Sequence, residues 1–404
     1  LDRRWEWLGW GSVLLACVLI VLHVVLVLWA LSYAVAALQV MVEGHELLPW
    51  DAQPARFLDG VLLGQPGDAT GWSIPAWTAW LGLLGIWGAL ALLVASGPRL
   101  FGDTIRYSLF VGAALLAVFV VRQVMWLADP NVGAVFGLEW ALRVEWSMLG
   151  RPDLWLAATG HTLMTFGLGL GLHVGLAAHL PREADIANNA RLIGLTSSSA
   201  MLAAFLGLAI VMGMLALHDA RQVGDIPAMV GEREDDVRGI GVAMLIVPQA
   251  LAVKDETFDT VSLRALWASC FFGAIATFSF LFATVALHTV VTALRERWAL
   301  RRGRATALAV GVGGLVSAGL IGFADWAWFD WVDRWIAQVG VMALVLAEVV
   351  ALGWIIGLGR TRRGINRVSE QPVSAVWDVC IRGAIPVALI ALLAHALQRA
   401  FAQM

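Results

Sequence analysis

The sequence predicts an all-α polytopic membrane protein of about nine transmembrane helices. Three observations carry that expectation: the composition, the recurrence of long apolar runs, and the alternation of charge in the loops between them. Of the 404 residues 60% are hydrophobic and only 14% are charged, with a mean hydropathy of +0.79. A fold in water could not cover that much apolar surface. Lipid accepts it, provided each backbone group is paired within its own helix. The net charge of −3 offers no basic footprint for nucleic acid. Cys17, Cys270 and Cys380 stand singly in apolar segments and read as small buried hydrophobes, with neither a disulfide framework nor a metal spacing.

Apolar runs of about 20 residues, enough to cross a bilayer, recur at 8–38, 74–96, 107–128, 153–180, 191–217, 264–293, 305–324, 335–358 and 374–400. The first loop carries Glu43, Glu46, Asp51, Asp59 and Asp68 against Arg56, and the second carries Arg99 and Arg106. Glu232, Glu234, Asp235 and Asp236 follow the fifth run. Arg295, Arg297, Arg301, Arg302 and Arg304 follow the sixth, and Arg360, Arg362, Arg363 and Arg367 the eighth. Arginine-rich loops thus alternate with acidic ones. By the positive-inside rule the N-terminus is cytoplasmic and the C-terminus lies outside. Trp72, Trp77 and Trp80, and Trp326, Trp328, Trp331 and Trp335, flank spans at the outer interface, where an aromatic belt is expected.

Between the fifth and sixth spans, Gly239 to Pro248 form an apolar piece too short to cross. It reads equally as a re-entrant or lid-like segment and as a surface helix.

The fourth span contains Gly167, Gly169, Gly171 and then Gly175. Each glycine costs a helix about 1 kcal/mol against alanine. One reading is an unwound segment at mid-membrane, whose free carbonyls and helix ends bind ions or substrate. The other is close helix packing on small residues. Alternate-residue spacing puts the glycines on different faces and favours unwinding.

Ionisable groups inside spans are expensive and mark functional candidates. Here they are His23, Arg122, His161, His173, His288 and Glu348. Thr277, Thr284 and His288 share one helical face, which would line a polar cavity or bond carbonyls four residues back. The sequence has none of the HExxH, CxxC or Walker patterns of membrane-bound catalysts, so no enzyme is expected.

At Gly160-His161-Thr162-Leu163-Met164-Thr165-Phe166-Gly167-Leu168-Gly169-Leu170-Gly171 the chain resembles the sixth helix of the neurotransmitter:sodium symporter family, in its bacterial leucine-transporter-like form. Asp185-Ile186 and Thr196-Ser197 are similar to the entry of that family's seventh helix, and Arg302 to Thr306 to the start of its ninth. Glu348, Trp354 and Gly357 are similar to its tenth, and Trp7 to Trp10 with Trp29 to its third.

The resemblance implies one transmembrane domain over 1–404 of the inverted-repeat kind. Residues 1–128 would be a remnant of the first repeat (helices 3–5), 153–358 the second repeat (helices 6–10), and 374–400 an extra helix 11, so that the first repeat is truncated by its first two helices. It implies a symporter of an amino acid or similar small amine, coupled to sodium, with no other cofactor. Met164, Thr165, Phe166, Gly167, Gly169, Leu170, Gly171, His161, Ser197, Leu19, His23, Thr284 and His288 would line the substrate and ion pathway. One sodium would sit at Thr165 and Ser197. Asp333 and Glu296 would be the outer and inner gates, both facing the pathway.

The hydroxyl pair of the family's second sodium site falls on Leu281 and Phe282, which offer no oxygen, so that site is expected to be degraded. His23, His161 and His288 are titratable replacements, which leaves a proton-coupled or uncoupled carrier as an alternative. A non-transporting receptor or scaffold is another. The partners implied are a small amino acid-like molecule and the bilayer.

Overall fold

The computed structural model describes residues 5–50, 54, 57–58, 76–128, 133–177, 180–181, 183–218, 242–252, 260–323 and 331–402. Among them, eight helices are long and apolar enough to cross a membrane. The remaining expected span, the fourth, is present as two shorter pieces.

Helix α1 (Glu6–Glu43) is apolar all round, as a helix enclosed by others must be. It ends where Gly44 turns left-handed and its N–H bonds back to the Val40 carbonyl. Helix α2 (Ala76–Ser96) follows, then α3 (Pro98–Met125). The sequence placed the third span at 107–128, with Arg99 and Arg106 in a loop. Both arginines lie on helix α3 instead. Gly97, at φ 115°, makes the whole turn, and Pro98 starts the new helix at a position where its missing N–H costs nothing. Hydropathy locates the edge of the apolar layer, and helices run on past it.

A short helix α4 (Ala134–Leu142), unforeseen by the sequence reading, packs on the later α7. Gly137 and Gly213 make this possible, since a Cβ on Gly137 would stand 1.8 Å from the Ala209 carbonyl oxygen. The fourth span is α5 (Pro152–Thr165) and α6 (Leu172–Ala177), separated by six non-helical residues. Then come α7 (Ile186–His218), α8 (Val247–Ala252), α9 (Val261–Trp298) and α10 (Arg302–Phe323). The last two spans are α11 (Val341–Val350) continued by α12 (Leu358–Asn366), and α13 (Ala375–Val379) continued by α14 (Ile385–Ala402). Wide π-type turns at 332–340, 351–357 and 380–384 interrupt these two. The eighth span therefore runs to Asn366, past its expected end at 358. Its extra turns carry Arg360, Arg362 and Arg363, and Arg362 pairs with Asp378 at 3.3 Å.

The centre is the pairing of α1 with α9, the two longest helices. Near the C-terminal end of α1, Tyr33 stacks on Phe272 at 4.3 Å and touches Trp50 at 5.0 Å. Such pairs contribute about 0.5–1.5 kcal/mol each beyond area burial. The short apolar piece is buried against this cluster and is no surface helix: Met244 and Val247 are wholly enclosed. The Tyr33 hydroxyl donates to the Met244 carbonyl at 2.8 Å, and Trp50 Nε1 donates to the Pro248 carbonyl at 3.0 Å. The acidic residues Glu232, Glu234, Asp235 and Asp236, and Trp72, Trp326 and Trp328, lie outside the described residues. Trp77, Trp80 and Trp331 are exposed.

Two loops expected on one side are clasped together. Asp185 caps α7 through the Asn188 N–H at 2.9 Å, and its other oxygen accepts the Glu370 N–H at 2.8 Å. The Asn188 N–H first, and the Glu370 N–H after it, hold this carboxyl below its ordinary range. Arg191 donates to the Gln371 carbonyl at 2.8 Å, and Asn366 ties the same loop to Val373 in both directions.

Candidate functional site

Helix α5 stops because the chain turns left-handed at Gly167, φ 59°. The Gly167 N–H reaches the Met164 carbonyl at 3.0 Å, and the Leu168 N–H reaches the Leu163 carbonyl at 2.9 Å. This crossed pair of bonds is the Schellman closure of a helix end, and it needs a residue tolerant of positive φ at Gly167. Gly169 (75°) and Gly171 (67°) repeat the left-handed turn, and the helix resumes at Leu172. The alternate spacing of the glycines thus sets a left-handed residue at every second position. His173, in the first turn of α6, spans the break by donating from Nε2 to the Phe166 carbonyl at 2.5 Å.

Three helices hold this linker. From α11, the Val341 carbonyl oxygen and Val345 crowd Gly169, where a Cβ would stand 3.2 and 2.9 Å from them. From α1, Ser12 lies 3.5 Å from the Cβ position of Gly171. From α9, Thr289 lies 3.8 Å from that position and its hydroxyl 2.5 Å from that of Gly175. Ser12 also lies 3.3 Å from a carboxyl oxygen of Glu348. The residues that meet the linker and α1, namely Val341, Leu344, Val345 and Glu348, form one stripe of α11 at helical spacing.

Glu348 is a candidate on sequence grounds, whereas Ser12 and Thr289 emerge only from the packing. Their signal was faint: a small polar residue in an apolar run, and a neighbour of His288.

The other expected site residues are distributed as follows. Leu170 and Leu19 are fully buried, and Met164 packs at the edge of the same apolar cluster. Thr165 and His161 are exposed, Phe166 is half-buried, and Ser197 is half-buried on α7. The main packing partners of α7 are α3, α4 and α8 rather than the broken span. His23 donates from Nδ1 to the Leu19 carbonyl at 2.7 Å, since a carbonyl can only accept, and its ring stacks on Phe282 at 3.9 Å. His288 is buried and stacks on Phe101 at 4.3 Å. Thr277 and Thr284 each donate to the carbonyl four residues back at 2.7 Å. For both threonines of that face, bonding within the helix is therefore the observed state. Glu296 is exposed in the last turn of α9, and Asp333 lies in the wide turn before α11, its side chain outside the description. Asp153, at the start of α5, accepts from both His395 and Arg399 of α14 at 2.8 Å. This ties the first half of the broken span to the last helix.

An interrupted span with glycines in left-handed turns exposes backbone groups inside a membrane protein only where they line a cavity or bind something. The model of the sodium:neurotransmitter symporter family matches residues 68–403. An uncharacterised sodium-dependent transporter of Methanocaldococcus jannaschii is 23% identical over 97% of this chain and 74% of its own length. A sodium-dependent dopamine transporter of Bos taurus is 24% identical over 64% of this chain and 35% of its own. A sodium- and chloride-dependent GABA transporter of Drosophila melanogaster is 21% identical over 66% and 27%. With a family model covering most of its length and the interrupted span in place, this chain belongs to the sodium:neurotransmitter symporter family.

Proposed function

We propose that the protein carries an amino acid or similar small amine across the plasma membrane of a bacterium, driven by sodium. The observation that supports this most is the break at Phe166–Gly171. Backbone carbonyls of this break and the adjoining Thr165 hydroxyl are hard oxygen donors of the kind sodium takes, and the half-helix ends suit a zwitterion's charged groups. Ser197 on α7 supplies a further oxygen. Asp333 gates the outer mouth and Glu296 the inner one, and the N-terminus is cytoplasmic. The nine spans stand for the family's helices 3–11, with 1–128 in the first repeat and 153–358 in the second. Leu281 and Phe282 provide no oxygen at the position of the second sodium, and Phe282 is engaged by His23. One sodium per substrate therefore follows.

The test is uptake of a labelled panel of amino acids and amines by the whole protein in proteoliposomes. An imposed sodium gradient is expected to drive uptake of at least one compound with a Hill coefficient for sodium near one, and Thr165→Ala is expected to weaken sodium dependence about tenfold, the worth of roughly 1.4 kcal/mol. Uptake indifferent to sodium, or a steep two-ion dependence, would overturn the coupling as stated.

A further inference from the structure

Away from the broken span, α1, α2, α9 and α10 frame an apolar groove of about 570 Å³. One end is marked by Trp10 of α1 and Trp298 of α9, whose rings meet at 5.6 Å. The other end is marked by Val21, Leu287 and Trp87. Trp10 to Val21 on α1, and Trp298 to Leu287 on the antiparallel α9, each rise about 16 Å. The hydrocarbon of one leaflet is about 15 Å deep, half the bilayer core. The groove is therefore as long as one leaflet is deep. Its flank is open, because the lining residues Leu14 and Val312 are exposed.

The tryptophan end is also the arginine end. Arg295 and Arg297 lie in the last turn of α9, Arg301 just precedes α10, and Arg302 and Arg304 begin it. Among the described residues none of the five is in an ion pair. Glu296 of the same stretch and Glu6 of α1 are exposed, and Asp103 of α3 is taken by Arg106 at 3.2 Å. Arg302 is half-buried, its Nε enclosed without a hydrogen-bond partner and its charge opposed by that of Arg295. Thr306, one turn on and 2% exposed, also has a hydroxyl without a partner. Arg302, Thr306, Ala309 and Gly313 follow at helical spacing on one face of α10, and Ala309 and Gly313 line the groove. Unused donors and uncompensated positive charge thus head the face that becomes apolar below. Enclosed donors without acceptors and like charges held together both cost free energy, and an anion relieves both.

We propose that this groove holds one acyl chain of an anionic phospholipid from the leaflet on the arginine side, with the headgroup phosphate on Arg295 and Arg302. The second chain lies along the open flank at Leu14 and Val312. Apolar length alone accepts any lipid; the arginines at one end select the anionic headgroup. Trp10 and Trp298 stand at headgroup level, where indoles settle in a bilayer. The site is independent of the transport reading above.

The test is native mass spectrometry of the whole protein released from vesicles of equal phosphatidylglycerol and phosphatidylcholine with the same acyl chains. The expected result is one retained phosphatidylglycerol, favoured over phosphatidylcholine about tenfold, as attraction to two arginines near the surface allows. Arg295→Gln combined with Arg302→Gln is expected to bring the two lipids to parity. Val312→Trp, which fills the groove from its exposed flank, is expected to reduce retention of both. Excess glycerol phosphate is expected to displace nothing, since a headgroup without a chain gains nothing from the groove. Equal retention of the two lipids by the unaltered protein overturns the proposal. So does a phosphatidylglycerol preference that survives the arginine pair, a result that stands even if Val312→Trp does not fold. A dimer that retains no lipid and is lost in Val312→Trp would give the groove to a second copy of the chain and overturn it as well.

Discussion

The broken fourth span and helix α10 have nearly the same raw material and opposite outcomes. The first carries Gly167, Gly169, Gly171 and Gly175; the second carries Gly303, Gly311, Gly313, Gly314 and Gly319 within a continuous helix. In the broken span three glycines sit at positive φ, whereas none of the α10 glycines does. Gly313 serves packing instead. Trp87 of α2 lies against it, 2.4 Å from where a Cβ would be, and is held there by a hydrogen bond of 3.3 Å to Ser317. Glycine content permits a break but does not cause one. What differs is the partner. An aromatic ring presses on the outside of a continuous helix at Gly313, while a valine side chain and a backbone carbonyl crowd Gly169 on one side of the looped backbone and a polar pair meets Gly171 on the other.

The largest expected effect that would sharpen this contrast is at Gly169. Alanine there meets the left-handed cost of about 1–2 kcal/mol and the crowding of Val345 and the Val341 carbonyl oxygen, about 1–3 kcal/mol more. Gly169→Ala is expected to lower unfolding stability in detergent by about 2–5 kcal/mol. A neutral result would mean that the linker is not held as described. In α10 the two expected effects have opposite signs. Gly313→Ala must displace Trp87 and is expected to cost about 1–3 kcal/mol. Gly311→Ala, at an exposed helical position with open space, is expected to add about 1 kcal/mol. If both α10 variants behaved like Gly169→Ala, the comparison would collapse.

The smallest expected effect concerns the loop clasp that anchors α7 beyond the break. Asp185 has a folded-state pKa lowered from 3.8, so its stabilisation is fully present above that value and is lost as the pH falls through the lowered one. Asp185→Ala is expected to speed amide hydrogen exchange at Asn188 and Glu370 severalfold at neutral pH, with wild type and variant converging in acid. Equal exchange at neutral pH would show that the clasp contributes nothing.

Much of this was legible in the chain. The nine apolar runs appear where expected because a bilayer imposes a length and a backbone-pairing rule that any sequence must meet locally. The interruption of the fourth span was legible too, since only glycine enters three left-handed turns in six residues cheaply. Helix ends were less so: the arginines after 97 and after 358 extend helices into the polar zone, where hydropathy no longer reports secondary structure.

The sequence by itself determined where the long apolar runs lie, which of them could break, and which ionisable groups would have to be accommodated inside. Only the tertiary structure decided that Gly169 is crowded by α11 while Gly313 is pressed by Trp87. It also decided that the piece 242–252 is enclosed, and that Thr277 and Thr284 bond their own helix. It brought Ser12 to Glu348 across 336 positions. Hydropathy and glycine spacing are properties of neighbours along the chain. Which side chain meets which oxygen depends on how separate helices pack, and that pairing is written in no local stretch of sequence.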